Sequence, residues 1–401
     1  MRKGISVVLV LGIMLLSISG CKRGNQDDKI IQDKEKEGIV LKIAFWGASG
    51  EEEALKKAAE GIEDEIEGID SIEWVQFPSA EEFYDTLPTE AAIGKIPDIV
   101  MLNNEEQRSL INRGSLEPLD ITVDEDKYVE NVLAEWRYQD RLYGIPQTAA
   151  SALLIINEDI WEKSGLTKYP ETWEQVYEDA KIIKEGGNIP ICIDISNMYH
   201  ITQYFLAFGG GWNRGENIAS KQNCQAIEYI LKMFDEGLAV TAQEMGKTWD
   251  GEVFASEECA MSTGGTWYIG AMKTVPEIRY RILPLPRTDM GNGKTMHSYG
   301  FSVMKGCQDK ELAEAAVEYM TREEAQKIRM QITGDCPAFI TLQDAYYSMY
   351  PELSFMREEL KNAQSFDYPL NLSILDAVKE KLKKRIYGES PELTAVEILG
   401  N

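Results

Sequence analysis

A chain of 401 residues with 67 Asp and Glu against 41 Lys and Arg has a formal net charge of −26. Such an acidic surface repels nucleic acid and anionic lipid head groups, so neither is expected as a partner, although a neutral ligand is left open. At 44% hydrophobic the chain can bury a full core, and its length suits two domains or one bilobal unit.

In chain order, Arg2 and Lys3 form a positive start, and Ile5 to Ile18 is an apolar run of about 14 residues. That is short of the roughly 18 needed to span a bilayer. Small residues then lead into Cys21 through Leu16-Ser17-Ile18-Ser19-Gly20, a pattern that resembles the lipobox of bacterial lipoproteins. The resemblance implies cleavage after residue 20 and a diacylglycerol thioether on Cys21. Two acyl chains anchor a protein stably, at roughly 0.8 kcal/mol per buried methylene. No later stretch is long and apolar enough to span, so the lipid is the expected attachment to the membrane. Residues 21–38 are polar and charged and are read as a flexible tether.

Beyond the tether, Leu41 to Trp46 alternates like a strand and ends at Gly47. Leu55, Ala58, Ala59, Ile62 and Ile66 share one helical face, and Ile72 to Phe77 is a second strand. A helical stretch interrupted by Pro88 runs to Gly94, and 97–102 gives a third strand. Ala152 to Asn157 is a buried strand, and Thr172 with Gln175 has the spacing of a capping box. Ile189 to Ile195, Arg279 to Leu283 and Ser298 to Lys305 are further strands. From Tyr199 the chain is largely helical through Gly237, broken at Gly209–Trp212. Residues 308–331 and 341–386 are also helical by pattern. Strands alternating with helices predict α/β layers with mostly parallel sheets.

Five cysteines remain after Cys21, an odd number without CxxC spacing, and only His200 and His297 could join them as ligands. No metal site and no cofactor are expected. Gly291-Asn292-Gly293-Lys294-Thr295 has the ending of a phosphate-binding loop, but Thr288 occupies the place of its first glycine and no helix follows, so it reads as a turn.

The order of landmarks resembles the extracellular solute-binding proteins of ABC importers, in the large sugar-binding family that includes maltose-binding protein. The matching pieces are Leu41–Gly47, Gly94-Lys95-Ile96-Pro97-Asp98-Ile99-Val100, Tyr143-Gly144-Ile145-Pro146 and Ile156-Asn157-Glu158-Asp159. Thr172-Trp173, Phe254 with Ala260-Met261, Gly265-Thr266-Trp267, Pro284-Leu285-Pro286 and Glu311–Ala316 complete them. The resemblance implies a bilobal periplasmic-binding-protein-like α/β fold, with two lobes, a hinge and ligand held between them. Crossings are placed near Thr148, Ser298 and Arg322. This gives residues 39–147 and 298–322 to lobe 1, and 148–297 and 323–401 to lobe 2.

Sugars pack C–H faces on aromatic rings and present hydroxyls to amides and carboxylates. Trp267, after Gly264-Gly265-Thr266, matches the position of an aromatic platform in the family, and Tyr199 that of a second. Trp46 ends the first strand, and Asn103, Asn104 and Glu105 follow the third. Gln147 lies at a crossover, and Trp212, Trp249 and Asp250 are candidate rim contacts. Asp98 is read as a strand brace. Ala149 and Ala150 stand where the maltose-type pattern has a glutamate, a departure that leaves the identity of the sugar open. The implied role is a monomeric, lipid-anchored, non-catalytic receptor on the extracellular face of the cytoplasmic membrane. It would deliver a sugar or oligosaccharide to an ABC permease. The alternatives are the same fold holding a polyamine or peptide, and an extracellular carbohydrate-active enzyme with a carboxylate pair.

Overall fold

The computed structural model describes residues 38–400 apart from Ala48, Ser365, Leu370 and Leu372; the signal segment and Cys21 lie outside the described residues. The chain opens with β1 (Ile39–Trp46), β2 (Ile69–Phe77) and β3 (Ile99–Asn103). All five residues of β3 are buried, the pattern of a central strand covered on both faces. A small hairpin, β4 (Arg137–Tyr138) and β5 (Arg141–Leu142), precedes β6 (Ile145–Pro146) and β7 (Ala150–Ser151). Then follow β8 (Leu153–Asn157), β9 (Ile189–Cys192), β10 (Ala239–Val240), β11 (Cys259–Gly264) and β12 (Tyr280–Pro284). The last strands are β13 (Met296–His297) and β14 (Tyr299–Val303).

These strands form two five-stranded sheets, ordered β2-β1-β3-β14-β6 and β10-β9-β11-β8-β12. β1 pairs parallel with β2 and β3, whereas β14 returns antiparallel to β3. In the second sheet β9 pairs parallel with β10 and β11, and β8 runs antiparallel to β11 and β12. Each sheet is packed into its own lobe. The first has one main core; the second has separate clusters on its two faces.

Between the lobes, β7 pairs antiparallel with β13 as a two-stranded ribbon. A third strand-like segment joins them: the Ala149 amide donates to the Cys336 carbonyl at 2.8 Å, and Thr148 bridges to Pro337. Within 323–401, the range expected in lobe 2, Ala338, Phe339, Leu342 and Leu360 pack instead into the first lobe's core. The chain therefore touches both lobes again after Arg322 before its C-terminal helices settle on the second.

Local signals explain several elements. Thr172 and Gln175 form the full capping box at the start of the Trp173–Glu185 helix. Asp98 is a brace: its carboxylate accepts from the Lys42 amide at 2.8 Å and the Gln308 amide at 2.7 Å. The helix expected to be interrupted at Pro88 runs through it, from Ala80 to Ala92, with Phe83 and Leu87 buried in the core. The five cysteines after Cys21 are all unpaired; four are buried and Cys307 is half-buried.

Candidate functional site

Strand ends and helix starts from both lobes converge on the ribbon between them. Trp46, last in β1, packs on Phe83, Tyr84 and Tyr299 with ring centroids 5.0, 5.3 and 5.8 Å away. From Tyr299 the chain of rings continues to His297 at 4.7 Å, and from His297 to Trp267 at 4.7 Å and Tyr199 at 5.0 Å. His297, on the ribbon strand β13, thus links the aromatic groups of the two lobes. Trp267 begins its own helix, Trp267–Lys273. Gly265 makes room for it: a Cβ there would lie 2.1 Å from the indole ring.

Against these rings sits a polar pair. Glu105, in the first turn of the Asn104–Asn112 helix, is buried, and so is His297. His297 Nδ1 is 3.1 Å from Glu105 Oε1, yet neither carboxylate oxygen and neither ring nitrogen has an aligned hydrogen-bond partner among the described residues. Buried polar atoms are nearly always satisfied, and each one left without a partner costs about 1–3 kcal/mol. Gln203 and Thr295, both fully buried, lie close enough to the Tyr199 hydroxyl to oppose the upward shift that burial gives its pKa, but neither is aligned for a hydrogen bond. This buried region therefore holds donors and acceptors whose capacity is unspent.

A cavity of about 690 Å³ is lined by both lobes, and Trp46, Glu105, Tyr199, Trp267 and His297 are not among its lining residues. Tyr84, Asn103 and Glu106 line it from one side, and Asp194, Trp249 and Lys379 from the other. Its ionic side chains balance, with four carboxylates (Asp85, Glu106, Asp194, Asp376) and four cations (Arg113, Lys247, Lys379, Lys383). Burial, then Glu105, then Asp376 across the cleft, push the Glu106 carboxyl up to about 7, against Lys379 and Arg113.

The other expected residues divide. Asn103 caps the Asn104–Asn112 helix and accepts from the Tyr84 hydroxyl at 2.7 Å, leaving it on the cavity wall. Asn104 is committed to structure, donating to the Met296 carbonyl at 3.2 Å and accepting from the Ser298 amide at 2.8 Å. Gln147 is likewise a bracket, donating to the Met320 carbonyl at 2.8 Å. Trp212, expected on the rim, is instead 0% exposed in the second lobe's core, its indole N–H donating to Thr202 at 2.7 Å. Trp249 lines the cavity, and Asp250 lies buried behind it, accepting from Tyr268 at 2.6 Å and Ser262 at 3.2 Å. Asp250, His200 and Asp194 bring ligand atoms within 4.8 Å of one another, although the two aspartates already accept hydrogen bonds within the protein.

His297, Tyr299, Gln203 and Thr295 were not among the expected site residues. Their only sequence signal is that three of them flank the crossover near Ser298.

Comparison with known proteins adds to this geometry. Residues 47–327 match the family model described as "Bacterial extracellular solute-binding protein". A galactooligosaccharide-binding protein of Bacillus subtilis is 22% identical over 359 residues, covering 85% of this chain and 82% of its own. A diacetylchitobiose-binding protein of Streptomyces coelicolor is 22% identical over 327 residues, 78% of this chain and 76% of its own. Among solved structures, an ABC substrate-binding protein from Listeria monocytogenes in complex with cycloalternan superposes with a TM-score of 0.78. It is 19% identical and covers 90% of this chain and 95% of that one, a likeness of fold.

Proposed function

The chain belongs to the bacterial extracellular solute-binding proteins, and on that premise we propose that it captures an uncharged sugar or oligosaccharide between its lobes for an ABC importer. The observation that carries this reading is the Glu105–His297 pair, buried without aligned partners and surrounded by Trp267, Tyr199 and Tyr299. Sugar hydroxyls both donate and accept, so they satisfy a carboxylate and an imidazole together, while the ring faces cover apolar C–H groups. A phosphate or carboxylate ligand would meet the Glu105 charge. A polyamine would need an excess of carboxylates, and the cavity's ionic side chains balance instead. In this reading Trp267, Tyr199, Trp46, Glu105, Asn103 and Trp249 face ligand. Asn104, Gln147 and Asp250 hold the walls. The two relatives whose names state oligosaccharide ligands support the same class.

The test is a thermal-shift and calorimetric panel on the purified protein, using β-galactooligosaccharides, N,N′-diacetylchitobiose and maltooligosaccharides, with spermidine and glycerol 3-phosphate as charged controls. A cognate sugar at 100 times its Kd adds about 2.7 kcal/mol of stability. Stabilisation by a charged control alone, or conversion of a bound sugar to product, overturns the reading.

The anchor belongs to the same proposal: the Leu16–Cys21 pattern supports lipid on Cys21, holding the receptor beside its permease. Changing Cys21→Ser is expected to release the protein from membranes. Retention of the variant through a high-salt wash would refute this.

A further inference from the structure

One buried arginine connects the segments that carry the two interlobe tryptophans. Arg329 is 1% exposed, on the Glu323–Ile332 helix. Its guanidinium forks onto Glu51, with Nη1–Oε1 2.5 Å and Nη2–Oε2 2.7 Å. Its Nε donates to Asp335 Oδ2 at 2.9 Å, and Nη1 also reaches Gln147 Oε1 at 3.2 Å. An arginine fork suits this, because it presents several donors in fixed directions.

Each partner has a separate address. Glu51 lies in the first turn of the Ser49–Ala59 helix of the first lobe. Its side chain lies over Gly47, where a Cβ would come 2.9 Å from it, directly after Trp46 in the chain. Asp335 accepts from the Thr266 hydroxyl at 3.4 Å, and Thr266 immediately precedes Trp267. Gln147 stands on the crossover itself. Arg329 also lies 5.4 Å from the centre of the Tyr299 ring, which packs on Trp46. Burial raises the Glu51 pKa, and Arg329 opposes that rise. Burial works against the charge on Arg329 as well, but Glu51 and Asp335 outweigh it. Removing one member of such a buried set leaves its partners' charges uncompensated.

We propose that Arg329 is a positioning residue: by bridging Glu51, Gln147 and Asp335 it fixes the spacing and orientation of Trp46 and Trp267 across the cleft. It does not itself meet the ligand. The connection of the two segments stands on geometry alone; only its consequence for binding rests on the sugar reading.

The test uses hydrogen exchange by mass spectrometry on the full, ligand-free protein, with Arg329→Lys and Arg329→Met. Lysine keeps the charge and loses the fork, and methionine loses both. The expected result is faster exchange in segments 49–55 and 264–270 together, about tenfold or more in Arg329→Met and less in Arg329→Lys. Strand β8 should be unchanged. Loosening confined to 323–335, or an equal rise throughout the chain, overturns the proposal. If Arg329→Met does not fold, Arg329→Lys alone decides it, by whether segments 49–55 and 264–270 both respond or neither does. No sugar enters this experiment, so failure of the sugar reading is seen separately, in the carbohydrate panel.

Discussion

Trp267 is the residue on which ligand contact and packing compete most evenly. It is half-buried, borders the core clusters on both faces of the second sheet, and still reaches His297 and Tyr199 with its ring. A micromolar ligand binds with about 8 kcal/mol in total, and truncating a dominant aromatic anchor removes about 2 kcal/mol, roughly thirtyfold in affinity. Trp267→Ala is therefore expected to weaken sugar binding about thirtyfold with the lobes still folded, measured by calorimetric titration beside a melting curve. Unchanged affinity with a loss of about 3–5 kcal/mol in stability would assign the indole to the core and leave Tyr199 or Trp46 as the platform. Residue chemistry at strand ends was legible in the sequence where the strand itself was: Glu105 follows an apolar run, and Trp267 follows two glycines. Trp212 also follows glycines, yet it turns inward onto Phe205 and Tyr368, since a glycine run permits a close approach on either side of the backbone. His297 carried no local pattern. Its surroundings are Glu105, Tyr199, Trp267 and Tyr299, three of which lie far away in the chain, and only the fold assembles them.

Among elements, those with a strong local signal emerged as expected. The alternation of Leu41–Trp46 becomes the core of β1, the apolar 97–102 run becomes β3, and Thr172 and Gln175 cap their helix. Asp98 braces β1 and β3 rather than facing the cleft, as its place at the head of a buried strand implied. The sequence was less clear where helical pattern continued across a change of direction. Residues 308–331 divide at Arg322, whose backbone is extended, into Lys310–Thr321 and Glu323–Ile332. The 341–386 stretch becomes Ile340–Met349, Met356–Asn362 and Ser373–Ile386, because its apolar positions serve two different cores in turn. Leu342 and Leu360 belong to the first lobe, and Tyr346 and Met356 to the second. Periodicity reports that a face is buried but not what buries it. That is also why the assignment of 323–401 to one lobe could not be read from pattern alone.

For the whole molecule, the charges facing one another across the cavity predict that the spacing of the lobes depends on pH. Glu106 extends from the first lobe's Asn104–Asn112 helix into the cavity, and Asp376 and Lys379 face it from the Ser373–Ile386 helix of the second. Burial raises its carboxyl to about 7, with Glu105 and Asp376 adding to the rise and Lys379 and Arg113 opposing it. An acid with a raised pKa favours the structure in which it is raised while it stays protonated. Its contribution is complete below its ordinary value of 4.5 and is lost as pH climbs through about 7. Only the part of the rise that the facing lobe supplies is lost when the lobes separate, because Glu105 stays beside Glu106 on the same helix. The effect is therefore smaller than the full rise at roughly 1.4 kcal/mol per pH unit. Small-angle scattering of the ligand-free protein should then give a smaller radius of gyration at pH 5 than at pH 8. Glu106→Gln, which carries no charge at either pH, should flatten that difference and hold the smaller value. A bound sugar should shrink the wild type at both pH values, since ligand held by both lobes draws them together by its own binding energy. A pH response that survives in Glu106→Gln would place the titrating group elsewhere. A profile insensitive to both sugar and pH would mean that the lobes are held at a fixed spacing, with the cleft between them preformed.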